Sequence, residues 1–267
     1  MGLTAQSTGV YAFLEELNQN SGGQGDAVIA LAGNPNTGKS TVFNGLTGLN
    51  QHTGNWPGKT VLLAKGNYRH KNKNITLVDL PGTYSLLANS ADEQVARDFI
   101  CFGDPDATVV VADATCLERN LNLALQVMEI TPKTILCLNL IDEARRKKIE
   151  VDCFKLEELL GIPVIATAAR DKIGLDQLKD VVHQVAFGKI RTQPKRLIYN
   201  EELEAAIAQV QNEIEPLLGG KFNSRWAALR LLDGDATLAA EILDYLQRKQ
   251  PVQEPLLLKG REAECYE

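Results

Sequence analysis

Several things are missing from this chain, and each absence removes a class of function. No stretch of the 267 residues approaches the 18 or so unbroken apolar residues of a membrane span. The opening MGLTAQSTGVYAFLEELNQNSGGQGD has neither the basic start nor the apolar run of a secretory leader. The five cysteines (Cys101, Cys116, Cys137, Cys153, Cys265) contain no C-x-x-C pair and the three histidines (His52, His70, His183) are scattered. A disulfide framework and a zinc site are therefore both unsupported, and reduced thiols are expected. Excess positive charge is also absent. With a net charge of -6 and a pI near 5.3, the surface is not built mainly to neutralise a phosphate backbone, so nucleic acid is not an expected partner. No repeat or low-complexity tract occurs. As it stands the chain is expected to be soluble and cytoplasmic.

What is present is an alternation of short apolar runs with helical stretches. The runs are 27–33 (AVIALAG), 60–68 (TVLLAKGNY), 75–80 (ITLVDL), 107–114 (ATVVVADA), 134–139 (TILCLN) and 162–168 (IPVIATA). Most are unbroken, the pattern of strands covered on both faces by helices. Helices are expected over 39–48, 92–101, 117–130, 143–160 with a break, and 174–187. Only the second and third runs are close enough to pair antiparallel, through RHKNKN. The expected fold is α/β, with a six-stranded, mostly parallel sheet and one antiparallel edge strand. After FGKIRTQPKR the strand signals stop. Helices are expected at 200–218, 223–232 and 236–249, the first with a stripe of Leu203, Ile207, Val210 and Ile214. The expected organisation is a flexible or short helical leader (1–25), an α/β domain (26–192), a small helical domain (193–250) and a frayed tail (251–267).

Residues 33–40, GNPNTGKS, fit G-x-x-x-x-G-K-[ST] between a strand and a helix. Glycines let the backbone curl so that N–H groups meet phosphate oxygens, Lys39 reaches the outer phosphates, and the Ser40 hydroxyl can ligate Mg2+. Gly33, Asn34, Pro35, Asn36, Thr37, Gly38, Lys39, Ser40 and Thr41 are thus candidate nucleotide contacts. Downstream, DLPG (79–82) offers Asp79 to the metal and the Gly82 N–H to a terminal phosphate. NLID (139–142) offers the Asn139 amide to a purine and the Asp142 carboxylate to two N–H groups that guanine has and adenine lacks. ATAAR (166–170) offers backbone N–H groups at Thr167, Ala168 and Ala169 to the guanine oxygen. All end strands, where open α/β sheets bind ligands. Four such motifs in order identify a guanine-nucleotide hydrolase, acting on GTP and GDP.

GNPNTGKSTVFNGLTG (33–48), TGNWPGKTV (53–61), LVDLPGTYSL (77–86), VARDFI (95–100) and VADATCLERNLNLALQ (111–126) together resemble the cytosolic GTPase domain of the ferrous iron transport protein B (FeoB) family. The likeness runs from about residue 26 to 190, and the following helices stand where that family has a helical domain resembling a nucleotide-dissociation inhibitor. The resemblance implies a switch at 53–61 with Gly58 near the nucleotide and Thr60 closing on Mg2+ and the terminal phosphate, and a second switch at 83–98. It implies K+ held by Asn36 with backbone carbonyls near Gly54 and Trp56. It further implies catalysis by Asn36, Lys39, Thr60 and Gly82, and Mg2+ held by Ser40, Thr60 and Asp79. A membrane-embedded iron permease, in the same or a partner chain, would place this region at the cytoplasmic face of the cell membrane, and homo-oligomerisation stays open.

The chain also departs from common GTPase patterns. Thr83 stands where many signalling GTPases carry the water-orienting glutamine. Leu140 replaces the lysine of NKxD, Ala168 a serine, Lys59 a valine and Cys116 an asparagine. A plainer reading has Asn36 only shaping its loop through a side-chain to backbone bond. Alternatives to the transporter switch are a ribosome-assembly-type GTPase and a module that senses nucleotide without turnover. No His, Cys or carboxylate cluster has iron-ligand spacing.

Overall fold

The computed structural model of the chain describes residues 26–48, 51–55, 61–87, 90–220, 223–235, 238–240 and 242. The strands are β1 (Ala27–Gly33), β2 (Gln51–Asn55), β3 (Leu62–His70), β4 (Lys73–Asp79), β5 (Ala107–Asp113), β6 (Thr134–Asn139) and β7 (Val164–Ala166). The helices are α1 (Lys39–Thr47), α2 (Ala91–Phe102), α3 (Leu117–Ile130), α4 (Ile141–Arg146), α5 (Cys153–Leu160), α6 (Leu175–Ala186), α7 (Glu201–Leu218) and α8 (Ser224–Leu232).

One sheet holds the strands in the order β2-β3-β4-β1-β5-β6-β7. Strands β1, β4, β5, β6 and β7 run parallel, and β3 pairs antiparallel with β4. The six expected strands are all there. The sheet is one strand wider, because QHTGN (β2) pairs antiparallel with β3. That segment has no apolar residue, so its strand character comes from its partner's free backbone edge and not from its own sequence pattern.

Alternation along the strands divides the core in two. Ala30, Val78, Val110, Leu136 and Leu138 face α2 and α3; Ile29, Leu31, Leu77, Val109 and Ile135 face α1 and α6. Both faces are dry, as parallel strands require. Local signals set the helix ends. Ser90 caps α2, accepting from the Glu93 N–H at 3.2 Å with Asp92 and Glu93 in the first turn. Asp152 and Asn200 cap α5 and α7 in the same way. The break expected within 143–160 falls between α4 and α5, where Lys148 takes φ 58°.

The carboxyl-terminal helices share the main core. Trp226 and Ala227 of α8 and Leu218 of α7 belong to the cluster that includes α2 and α3. Beneath them lies a fully buried guanidinium: Arg97 donates to Asp98 at 3.0 and 2.8 Å and to Asp235 at 3.1 Å. The expected leader helix, the tail and most of the helix expected at 236–249 lie outside the described residues.

Candidate functional site: the carboxyl edge of the sheet

The strand register gathers the candidate residues. Leu31 pairs with Asp79, Gly33 with Val111, and Asp113 with Asn139, so β1, β4, β5 and β6 end at one edge. The loop leaving β1 is shaped by its neighbours. A Cβ on Gly33 would approach the Val111 carbonyl oxygen to 2.8 Å, and one on Gly38, at φ 78°, would come 2.4 Å from Asn139 Nδ2. Both contacts are too short for any side chain. Thr37 Oγ1 donates to the Asn34 carbonyl at 2.9 Å, and Asn36 sits at φ 66°, a conformation asparagine tolerates better than most residues. Asn36 is exposed and its side chain makes no hydrogen bond within the described residues. The loop is therefore shaped by its backbone and not by the side-chain bond of the plainer reading. Asn34 is the opposite: it is 3% exposed with neither amide atom partnered among the described residues.

Lys39 begins α1 and turns back over the sheet edge. Its ammonium donates to the Asp79 carboxylate and, at 2.6 Å, to the Leu80 carbonyl. Burial raises the Asp79 pKa, and the Lys39 charge opposes the rise. Ser40 and Thr41 are exposed in the first turn of the same helix. A carboxylate and a nearby hydroxyl are the hard oxygen donors that Mg2+ takes, so Ser40 and Asp79 fit that ion.

At the other end, Asn139 acts as a brace. Its Nδ2 donates to the Thr37 carbonyl at 3.0 Å, while its Oδ1 accepts from Thr167 Oγ1 at 3.0 Å and the Ala169 N–H at 3.1 Å. One side chain, 1% exposed, thus ties the phosphate loop to the turn after β7. In that turn the Thr167 and Ala168 N–H groups are also engaged, by Leu138 and Ile173. Asp142, by contrast, keeps its carboxylate at the surface, where Arg146 donates to it at 3.0 Å. Leu140 between them takes φ 62°, a left-handed conformation that costs an ordinary residue about 1–2 kcal/mol. Sequence reading did not anticipate that strain.

The DLPG segment returns against the phosphate loop. The Thr83 N–H donates to the Gly33 carbonyl at 3.3 Å, and Gly82 lies beside Pro35, where a Cβ would meet only ordinary contacts from 3.5 Å. Of the residues expected to form a first switch, Gly54, in β2, pairs with Leu63 of β3, whereas Trp56, Gly58 and Thr60 lie outside the described residues.

A family model described as ferrous iron transport protein B matches residues 27–182, well over half of the chain. The chain belongs to the ferrous iron transport protein B family. A second FeoB model, for the cytosolic helical domain, matches residues 199–259. The Fe(2+) transporter FeoB of Escherichia coli K12 is 39% identical over 214 residues, covering 78% of this chain and 27% of that protein. The chain thus spans about a quarter of the length of the curated relatives it matches. Among solved structures, the cytosolic domain of the T. maritima FeoB iron transporter in its GMPPNP form is 39% identical with a TM-score of 0.74, covering 82% of this chain and 86% of that one. The cytosolic domain of L. pneumophila FeoB is 34% identical with a TM-score of 0.70, covering 83% and 95%. The fold is therefore the P-loop GTPase fold of the FeoB cytosolic region.

Within this FeoB fold, contacts that the motifs do not announce hold the segment after DLPG. The Arg119 guanidinium lies 4.4 Å from the centre of the Tyr84 ring. The Leu86 N–H donates to Gln126 Oε1 at 2.6 Å, and Ser85 Oγ to Glu93 at 2.9 Å. Arg119 and Gln126 sit on α3, and only their place in the FeoB-like run 111–126 could have marked them. Among the described residues no group of His, Cys, Asp or Glu is arranged to hold a metal alone, and no helix is long and apolar enough to cross a membrane.

Proposed function

We propose that this chain binds GTP and hydrolyses it to GDP and phosphate, as the nucleotide-switched cytoplasmic part of a ferrous iron transporter whose permease lies in the membrane. The observation that carries this reading is the alignment of Gly33, Asp79 and Asn139 at one sheet edge, with Lys39 bonded to Asp79 across it.

In this reading the loop from Gly33 to Gly38 wraps the phosphates with its N–H groups, and Lys39 leaves Asp79 to meet the outer phosphates. Asp142 accepts the two guanine N–H groups. Packing does not require a glycine at position 82, but close approach of a phosphate does, which favours the Gly82 N–H as its donor. Asn139 positions the base-binding turn; its Nδ2 gives one hydrogen to the Thr37 carbonyl and keeps the other for the purine. When bound, Mg2+ at Ser40, Asp79 and Thr60 and K+ at Asn36, Gly54 and Trp56 neutralise phosphate charge that an arginine would otherwise meet. Thr83 is 5% exposed and too short to act as a glutamine does, so backbone groups of the first switch orient the water.

Multiple-turnover phosphate release tests this. GTP should be turned over and ATP should not, faster in potassium than in sodium chloride. Equal rates in the two salts would remove the potassium role. Absence of turnover with tight GTP binding would leave a sensing module.

A further inference from the structure

The helical segment meets the rest of the molecule along a seam, and a cavity of about 240 Å³ opens there. Its walls come from three separate stretches: the last turns of α3 with Pro132, the connector 194–197, and the start of α8. The floor is apolar. Leu125, Met128, Trp226 and Leu229 form it, the last three at 7%, 4% and 8% exposure.

The polar groups of the wall are mostly spent on one another. Asn223 Nδ2 donates to the Glu129 carbonyl at 2.7 Å, and Tyr199 O–H donates to Glu129 Oε1 at 2.8 Å. Burial, then Glu129 itself, pushes the Tyr199 phenol up to about 12, so it keeps its proton for that bond. Arg225 is taken bidentately by Glu204, both bonds 2.7 Å, and also donates to the Leu197 carbonyl. Lys195 and Arg196 differ. Both are exposed at the mouth, and neither side chain has a hydrogen bond or ion pair among the described residues. Arg196 lies near Glu204, but that carboxylate is already filled by Arg225.

We infer that this seam is a second ligand site, distinct from the nucleotide edge, for a small amphipathic anion: an apolar body of about two fused rings carrying one carboxylate or sulfonate. The volume sits just under the roughly 300–1,000 Å³ of drug-sized pockets, which limits the guest to that size. The floor takes the apolar body by removing its surface from water. The two unpaired cations at the mouth take the charge, which stays half-hydrated and so costs little to bind. Such a guest touches both halves of the molecule at once. It therefore binds best when the seam is closed and holds it closed.

The site is tested with 1-naphthoate and its neutral isostere 1-naphthamide, titrated against the Trp56→Phe protein so that Trp226 is the only indole reporting. Saturable one-to-one quenching by 1-naphthoate is expected, weakened about tenfold or more for 1-naphthamide and in the Lys195→Ala/Arg196→Ala double variant, the scale of losing a charge-assisted bond. Leu125→Phe, which fills the floor, should abolish it. Lack of saturation, or equal binding of acid and amide, would overturn the proposal. Because Lys195 and Arg196 are exposed, their double variant folds and stays decisive even if Leu125→Phe disturbs the core; unchanged affinity there would also overturn it.

Discussion

Asn36 and Asp142 put the proposed chemistry to its sharpest residue-scale tests. Asn36 answers to two demands, a left-handed backbone at φ 66° and, in the proposal, a potassium ligand, and substitution separates them. Asn36→Gly keeps the backbone conformation at no steric cost, whereas Asn36→Ala does not. Both variants should lose the preference for potassium over sodium in phosphate release, while only the alanine should also weaken GDP binding. A glycine variant that keeps the preference would leave the asparagine a purely conformational choice. For Asp142, asparagine in its place supplies one acceptor and an unwanted donor to guanine. A polar site mismatched in this way rejects its substrate by about 10⁴ or more at the strong end, so GTP affinity in Asp142→Asn should fall by at least two orders of magnitude, measured with a fluorescent GTP analogue. The residue types and spacing of these motifs were legible in the sequence because they are contiguous and chemically marked. The bracing role of Asn139 was not. The Asn139 amide also bonds the Thr37 carbonyl and accepts from the Ala169 N–H, and those partners are far away in sequence.

Among the elements, the parallel strands announced themselves as unbroken apolar runs, and the helices as capped periodic stretches. β2 did not, being polar and defined by its neighbour. Nor did the attachment of α7 and α8, in which Arg97 takes part through Asp235. Its guanidinium is fully buried against Asp98 and Asp235. Removing it takes a counter-charge from Asp98 and Asp235 at once, so Arg97→Ala should cost about 3–5 kcal/mol in a denaturant titration, well beyond an exposed arginine. A loss below about 1 kcal/mol would show that the buried ion network adds nothing net to stability. The second tie is Glu204, held down to about 2 by the Arg225 guanidinium first and then by the Tyr199 N–H. A carboxylate with a depressed pKa stabilises the fold fully above its ordinary value of 4.5 and loses that contribution as pH falls toward 2. Trp226 emission in the Trp56→Phe protein should therefore shift through this window, and Glu204→Gln should flatten that part of the transition. An identical acid profile in the glutamine variant would assign the loosening to other groups.

Across the whole molecule, α3 is bonded through side chains both to the segment after DLPG and to the carboxyl-terminal segment. Gln126 Oε1 accepts from the Leu86 N–H. One turn later Glu129 accepts from Tyr199 and Asn223. Thr83, three residues before Leu86, donates to the Gly33 carbonyl of the phosphate loop. A change at the terminal phosphate that moves Thr83–Leu86 therefore pulls on α3, and a helix transmits an axial or rolling displacement over one turn with little loss because its hydrogen-bond ladder is stiff. Coupling of this kind is reciprocal: whatever closes the seam must change nucleotide affinity by the same factor that nucleotide changes the seam. The expected outcome is a difference in Trp226 emission between the GDP and non-hydrolysable GTP complexes of the Trp56→Phe protein. Gln126→Leu, which keeps the bulk and removes the acceptor, should erase most of that difference while changing affinity for either nucleotide by less than about threefold, within the range of one neutral hydrogen bond. If the difference survives intact in Gln126→Leu, the signal travels through α2 and the Arg97 ion network, and Arg97 variants become the ones to measure.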